Sequence, residues 1–321
     1  MKREYYRDSI RLSEGRSPHK SLFRTDITLT DYNGNDIISV QKHKMNMTVL
    51  GGRLTVLEKS FGIVPDSNQR LLISDMIPTP SDSVTGESAM LSMDDDATYA
   101  SLHSQNTIFG DAAVSAKRTF GDKVNYFCIG NGGENPATPY EVLDVHDWET
   151  RLYNMVPFRC VPVTADLSAS ERASYRLRKR IAINGAEYYA YYAKVFDPGT
   201  IKSMKSGVEY TPTIADSNPY IGAAEGHPMK GHTSEVYITF DLDITEDEFK
   251  EFYRALHSDS LTGARLTELG LVSGYDGPAG DATGTTVKEL YDPTLFAKLV
   301  HEPVFLSSEG SRRKVTYSIF A

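Results

Sequence analysis

The segment 144–149, Asp-Val-His-Asp-Trp-Glu, is the densest group of side chains in the sequence that could bind a metal ion. His146 beside Asp144 and Asp147 could contribute to a metal site. A hydrolase built on a β scaffold would bring these three side chains together in a cleft around an ion. Adjacent residues point in different directions, however, and no second histidine follows three or four residues later. The sequence therefore favours a solvated turn with Trp148 packed beneath it.

Residues 130–133, Gly-Asn-Gly-Gly, follow an apolar run and are a second candidate, for phosphate binding. They match neither the dinucleotide-binding pattern nor the P-loop. Pro136 and Pro139 also lie where a nucleotide-binding fold would begin its helix. A glycine turn is the simpler interpretation.

Nucleophilic catalysis has little support in the sequence. It contains no Gly-x-Ser-x-Gly motif. Cys128 and Cys160 lie in apolar runs, which is typical of buried free thiols rather than activated ones. We therefore expect a protein that is not an enzyme, with no catalytic, metal-binding or cofactor-binding residues, no cofactor and no small-molecule substrate.

The clearest local signature is a tyrosine-rich hairpin that turns at Asn184-Gly185. Alternating runs on both sides of an Asn-Gly pair predict two antiparallel strands joined by a type I′ turn, because both turn residues need a positive φ. The first strand carries a basic stripe, which is most often a solvated face but could meet an acidic partner subunit or, less readily, nucleic acid. The second strand carries apolar or aromatic groups on both faces, so one face should meet another chain or a covering segment. The candidate interface residues are Tyr188, Tyr189, Tyr191, Tyr192, Arg176, Arg178 and Arg180.

Several further elements must position these residues. Residues 23–30 and 36–40 flank an Asn-Gly-Asn turn and predict a short hairpin. Residues 45–61 have apolar side chains near helical spacing, and Gly51-Gly52 within them indicates a break or a close approach by another backbone. Residues 64–118 alternate proline with Ser, Thr and Asp and predict an extended, irregular excursion.

The second half of the chain predicts mainly strands. Ser168 and Glu171 fit a capping box, and so do Thr245 and Glu248 at the start of a second helix. Asp292-Pro293 is expected to open a third, short helix. The strands are expected at 124–129, 152–163, 233–243, 265–272 and 314–320.

Composition is ordinary for a folded protein, and the formal net charge of −9 argues against broad nucleic-acid binding. Residues 1–20 show no signal-peptide pattern, and no apolar stretch approaches the length of a membrane span. We therefore expect synthesis in a cytoplasm and no contact with a membrane.

The predicted fold class is α+β and mainly β, with an antiparallel β-sandwich-like core, a few short helices and long irregular excursions. We divide the chain into three regions. Residues 1–20 are basic and form a flexible N-terminal arm, residues 21–120 hold the hairpin, helix and extended loop, and residues 121–321 form the β-rich core domain.

Several segments, in this order, resemble virion proteins of tailed bacteriophages, particularly tail and baseplate-associated subunits. They begin with residues 127–133 (Phe-Cys-Ile-Gly-Asn-Gly-Gly) and 152–159 (Leu-Tyr-Asn-Met-Val-Pro-Phe-Arg). They continue with residues 166–169 leading into Tyr175, the Tyr188-Tyr189 arm of the hairpin, the strand and acidic helix at 239–249, residues 264–271 and the final strand at 315–320. The resemblance covers roughly residues 120–321.

This resemblance implies a structural role in a virion, in multiple copies and without a cofactor. The expected function is a subunit of a phage tail, baseplate or neck, made in the host cytoplasm and partnered by copies of itself and other virion proteins. The alternative is a capsid-associated protein, such as a decoration, collar or minor capsid component.

Overall fold

The computed structural model describes residues 24–30, 36–40, 46–61, 123–135, 142–146, 148–205, 208–209, 211, 234–245, 247–248, 250–261, 263–280, 286–305 and 313–320. The predicted N-terminal arm and the predicted excursion at 64–118 lie outside these residues. Three α-helices and fourteen strands are present within them. In chain order these are β1 Arg24–Thr30, β2 Asp36–Val40, β3 Asn46–Thr48, α1 Leu50–Phe61, β4 Lys123–Gly130, β5 Met155–Val156, β6 Arg159–Pro162, α2 Ala169–Arg172, β7 Tyr175–Ile183, β8 Ala186–Val195, β9 Ile201–Lys205, β10 Val208–Glu209, β11 Ser234–Ile244, α3 Lys250–Leu256, β12 Arg265–Gly280, β13 Thr286–Phe305 and β14 Arg313–Phe320.

The strands form two antiparallel sheets, which confirms the predicted α+β, mainly β class. The six-stranded sheet has the order β10-β9-β11-β14-β1-β2. The eight-stranded sheet has the order β3-β13-β12-β4-β8-β6, with β5 paired to β4 and β7 paired to β8. The predicted hairpin of β1 and β2 is confirmed, and β1 also pairs along its length with the last strand, β14.

The two sheets share one core, and aromatic rings join them. Phe196, just after β8, stacks on Phe240 of β11 with ring centroids 4.5 Å apart. The Phe196 ring also contacts the ring of Phe127 on β4, with centroids 6.2 Å apart. Aromatic contacts of this kind contribute more than the burial of their area alone. Phe196 therefore connects Phe127 of β4 in the eight-stranded sheet to Phe240 of β11 in the six-stranded sheet.

The tyrosine-rich hairpin forms as predicted from β7 and β8. Asn184 and Gly185 both have positive φ, +50° and +80°, as a type I′ turn requires. The Asn184 side chain also donates hydrogen bonds to the carbonyls of Ala255 (3.0 Å) and Leu256 (3.1 Å) at the end of α3. The turn residue thus satisfies helix-terminal carbonyls that have no partner within the helix.

The predicted helix at Asp292-Pro293 is wrong, since both residues lie inside the long strand β13. The pairing of β12 with β13 is irregular at this place. Ser273 pairs with Thr294 and Tyr275 with Tyr291, so Asp292 and Pro293 together oppose one residue. A proline cannot donate to the ladder, and a bulge is where a strand tolerates one. Strand β12 also continues past the predicted end at residue 272.

Helix α1 begins at Leu50, after the short strand β3, and so starts later than predicted. A Cβ atom on Gly51 would collide with the carbonyl oxygen of Leu295 and with the side chain of Thr294. The glycine pair therefore marks a close approach by the backbone of β13, which was one of the two predicted alternatives.

The helix-start signal at Ser168 is confirmed, whereas the one at Thr245 is confirmed only in part, because α3 begins at Lys250. Ser168 and Glu171 form a complete capping box at α2. Before α3, the side chain of Glu248 accepts a hydrogen bond from the backbone N–H of Thr245 (2.6 Å). This is the bond that the glutamate of a capping box makes. None of the helices in the described part of the chain has the length and apolar character that crossing a bilayer requires.

Candidate functional site

A buried carboxylate, Glu268 on β12, holds the glycine turn that follows β4. It accepts hydrogen bonds from the backbone N–H groups of Gly132 (3.0 Å), Tyr153 (2.7 Å) and Asn154 (2.9 Å). A Cβ atom on Gly130 or Gly132 would lie 2.6 or 2.9 Å from Glu268 Oε2, so the turn needs glycine there. The N–H of Gly132 is thus committed to a carboxylate of the chain, and the interpretation as a glycine turn is confirmed.

A buried ammonium, Lys298 on β13, faces this carboxylate. Its Nζ atom lies 3.4 Å from Glu268 Oε1 and 2.6 Å from Glu149 Oε2, and both Lys298 and Glu268 are 0% exposed. Nζ also donates to the carbonyl of Arg151 (3.2 Å) and lies 3.2 Å from the ring centroid of Tyr153. Two carboxylates, a carbonyl and an aromatic face therefore compensate the buried positive charge.

Glu149 connects this buried charge to the surface. Its Oε1 atom accepts hydrogen bonds from the backbone N–H of His146 (2.9 Å) and from the hydroxyl of Tyr153 (2.9 Å). Burial, and then the hydrogen bond to Glu149, raise the pKa of the Tyr153 hydroxyl. The same carboxylate that meets Lys298 therefore fixes the positions of two surface aromatic residues.

The outer side of residues 142–154, which we call the aromatic loop, exposes apolar groups. Leu143 is 36% exposed, Tyr153 41% and Trp148 61%. The Trp148 ring stacks on His146, with centroids 4.2 Å apart and planes 7° from parallel. The prediction that Trp148 packs beneath the turn is wrong, because the indole lies on the outside and rests on the imidazole.

The first part of the aromatic loop is also anchored to the body. Glu134 and Val142 form an antiparallel bridge, and the backbone N–H of Leu143 donates to the carbonyl of Gly133 (2.8 Å). Val145 is buried in the core. The described part of the loop is thus attached to the body at both ends and through the buried Val145.

The described residues of 144–149 do not form the geometry of a metal site. Asp144 and His146 are exposed, and Asp147 lies outside the described residues. Across the described parts of the chain, no three His, Cys, Asp or Glu side chains are grouped so that they could hold a metal ion. Cys128 and Cys160 are both buried and free, as predicted, and burial raises the pKa of each thiol.

Arg176, a predicted interface residue, lies inside the chain instead. It forms a bidentate ion pair with Asp276 of β12, at 2.9 and 3.0 Å, and Asp276 also accepts from the hydroxyl of Tyr126 (2.8 Å). Burial would raise the pKa of Asp276, but the hydrogen bonds from Arg176 and Tyr126 outweigh it and hold that pKa below its usual range. The basic stripe is thus partly a structural contact to the β12–β13 hairpin.

The backbone beside Arg176 is strained at Leu177, which has a φ of +54°. In this conformation its N–H turns to Glu289 of β13 and donates to the carboxylate at 2.6 Å. The same oxygen accepts from the N–H of Leu290 (2.8 Å). Burial raises the pKa of Glu289. A non-glycine residue with positive φ costs about 1–3 kcal/mol, so the contact to Glu289 has to offset that strain.

Arg178 and Tyr191 are also buried by the chain itself, and both contact Asp166. The Arg178 guanidinium lies 2.9 Å from Asp166 Oδ2, and the Tyr191 hydroxyl donates to Oδ1 of the same carboxylate. Arg178 also lies over the ring of Tyr189, 3.6 Å from its centroid. The segment before α2 is therefore the covering segment that the hairpin requires.

The structure thus divides the predicted interface residues. The prediction of an exposed interface side chain is wrong for four residues, which are buried within the chain: Arg176, Arg178, Tyr191 and Tyr192. Tyr188, Tyr189 and Arg180 are partly exposed, and Arg180 forms an ion pair with Glu187. These three remain predicted interface residues.

Sequence reasoning missed Glu268, Lys298 and the exposed side of Trp148. Glu268 interrupts the apolar run of the strand predicted at 265–272, and Lys298 interrupts a second apolar run at 295–300, which is a signal of buried, paired charge. Nothing in the sequence pairs either with Glu149, because that contact depends on how three separate segments pack.

Comparison with known proteins gives a family but no function. No curated protein sequence and no solved structure matches the chain. A family model, described as a family of unknown function (DUF7208), matches residues 97–297. The match spans more than half of the chain and includes the aromatic loop and Glu268. The chain therefore belongs to the DUF7208 family.

Proposed function

We propose that this protein is a structural subunit of a tailed-bacteriophage virion, in the tail, baseplate or neck, that acts by assembling with copies of itself and with other virion proteins. The observation that carries the proposal is the aromatic loop, an exposed aromatic face held through Glu149 by the buried pair of Lys298 and Glu268. The resemblance of residues 120–321 to tail and baseplate-associated proteins supplies the biological setting.

The composition of the exposed face supports a role in protein–protein contact. Trp and Tyr are enriched in interfaces and among the residues whose truncation costs most binding free energy. Trp148 exposes most of its indole, while Tyr153 and Leu143 add apolar area beside it. A cluster of this kind favours a site that a partner covers.

The anchoring of the loop supports the same role. Ordering side chains and loops on binding costs free energy, so a surface fixed in advance binds with a smaller loss. Here Glu149 fixes the backbone at His146 and the hydroxyl of Tyr153. Lys298, buried beneath Tyr153, fixes Glu149. The charged core therefore reduces the cost of binding at the surface.

Quantitative mass spectrometry of purified particles from the phage that encodes the chain tests the proposal. A copy number that is a multiple of three or six fits a tail, baseplate or neck ring. Hundreds of copies would instead support the capsid-associated alternative, and absence from the particle would refute a virion role.

A surface substitution tests the part played by the aromatic loop. Trp148→Ala should reduce incorporation into particles without loss of folding, measured by far-ultraviolet circular dichroism. Ile201→Ala is the matched control, because Ile201 is 72% exposed but lies on the six-stranded sheet. Equal incorporation of both variants would show that the aromatic loop is not an assembly contact.

A further inference from the structure

We infer that the aromatic loop of one copy binds the N-terminal segment, residues 1–20, of a second copy of this chain. The inference rests on the proposed assembly role and names the partner of the surface described above. It is drawn from charge, from the chemistry of the exposed rings and from the different places of the two surfaces in the fold.

Charge is opposite in the two segments. Residues 141–149 contain four acidic residues and no lysine or arginine. Glu149 already pairs with the buried Lys298, so the electrostatic attraction comes from the other three. Residues 1–20 contain six basic and three acidic residues, a net charge of +3, and the rest of the chain carries −12. Segments of opposite charge attract before contact and bind less tightly as salt is added.

The exposed rings suit the side chains that the N-terminal segment supplies. Four of its six basic residues are arginines. A guanidinium is planar and stacks on aromatic faces, and tryptophan is the strongest partner for such a cation. Since the inner face of Trp148 already rests on His146, its outer face is the one that an arginine would cover. Asp147, next to Trp148 in the sequence, adds negative charge that attracts an arginine.

The two segments enter different sheets, so a contact between copies would join two unlike surfaces. Residues 1–20 lead into β1 in the six-stranded sheet, whereas the aromatic loop is anchored to β12 and β13 of the eight-stranded sheet. An arm that binds an unlike surface of the next copy makes a head-to-tail contact. Repeated contacts of this type close into rings or build helical arrays, which are the arrangements a tail or baseplate subunit needs.

Trp148 is the single tryptophan of the chain, so its fluorescence reports on this site alone. The experiment measures acrylamide quenching of the full chain over a range of protein concentrations. We expect quenching to fall by about half as the concentration rises, because an arginine covers the open indole face. The protection should be lost when salt is raised from about 0.1 M to about 1 M, which shortens the Debye length from about 10 Å to about 3 Å.

Two variants identify the partner. A chain without residues 1–20 should show unprotected Trp148 at every concentration. A full-length chain with Arg3, Arg7, Arg11 and Arg16 changed to Glu should behave in the same way, and it keeps the test valid if the shortened chain folds poorly. A Lys2→Gln variant, which removes one charge outside the arginine set, should retain most of the protection.

Three results would overturn the inference. The first is protection of Trp148 that does not depend on protein concentration, which would place the N-terminal segment on its own chain. The second is protection that persists in both variants. The third is the absence of protection in the full chain. These results leave the proposed function standing if the protein is present in particles at a fixed copy number. The two failures are therefore distinguishable.

Discussion

Replacement of Lys298 by methionine tests whether the buried ion network stabilises the fold and holds the aromatic loop. Methionine keeps most of the length and the apolar stem of lysine, so the change removes the charge with little loss of packing. Glu268 then remains buried without its counter-ion, and Glu149 loses its contact at 2.6 Å. Removing one partner of a buried ion pair typically costs about 3–5 kcal/mol.

That cost is large beside the stability of a typical domain, about 5–15 kcal/mol, so the variant should fold but unfold at clearly lower urea concentration. Urea unfolding followed by far-ultraviolet circular dichroism measures the change. The local consequence is separate. Trp148 should become more accessible to acrylamide in the folded variant, because Glu149 no longer fixes His146, on which the indole stacks.

The chain offers a matched control and a double-mutant cycle. Lys202 and Glu209 form an ion pair on the surface, at 3.3 Å, so Lys202→Met should leave the unfolding midpoint unchanged. Glu149→Gln combined with Lys298→Met should lose less than the sum of the two single changes, by more than about 1 kcal/mol. A loss below about 1 kcal/mol for Lys298→Met, or strict additivity in the cycle, would refute the reasoning.

Further predictions concern pH and the hairpin. Burial lowers the pKa of His301 to about 4, so the unfolded chain takes up the proton first and stability falls by about 3 kcal/mol as pH drops from 6.5 to 4. His301→Leu should remove this fall in urea unfolding at pH 7 and pH 4.5. Burial raises the pKa of Glu289, so its protonated carboxyl group stabilises the fold below pH 4.5, and this stabilisation is lost as pH rises through the folded-state pKa. The free energy of unfolding of Glu289→Gln should therefore increase relative to that of the wild type over this rise. A difference that stays the same at every pH would contradict this prediction. Asn184→Gly loses the two side-chain hydrogen bonds but still accepts the positive φ. Asn184→Ala loses the hydrogen bonds and also strains the backbone at positive φ, so its free energy of unfolding should be about 1 kcal/mol lower than that of Asn184→Gly.

Features determined by neighbouring residues could be predicted from the sequence. The turn at Asn184-Gly185 needs two residues that accept positive φ, and the Asn-Gly pair supplies them. The capping box of Ser168 and Glu171 depends on a spacing of three residues. In each case the residues that determine the conformation lie within one turn of each other, so tertiary contacts confirm a local preference and do not override it.

Features determined by distant contacts could not be predicted in the same way. Pro293 suggested a helix start, but pairing with β12 keeps the segment extended and moves the proline into a bulge. The alternating arginines of β7 suggested an exposed stripe, but Asp276, one hundred residues away, reaches Arg176. No property of the arginine run distinguishes a solvated face from one that another strand covers.

The buried charges show why the candidate site was only partly predictable. The carboxylate of Glu268 accepts hydrogen bonds from three backbone N–H groups, and the ammonium group of Lys298 pairs with two carboxylates. Groups committed in this way position the backbone around them. What they position, through Glu149, is the exposed side of Trp148 and Tyr153. Because this surface is already ordered within the folded chain, the assembly proposed above would need to order fewer groups when a partner binds.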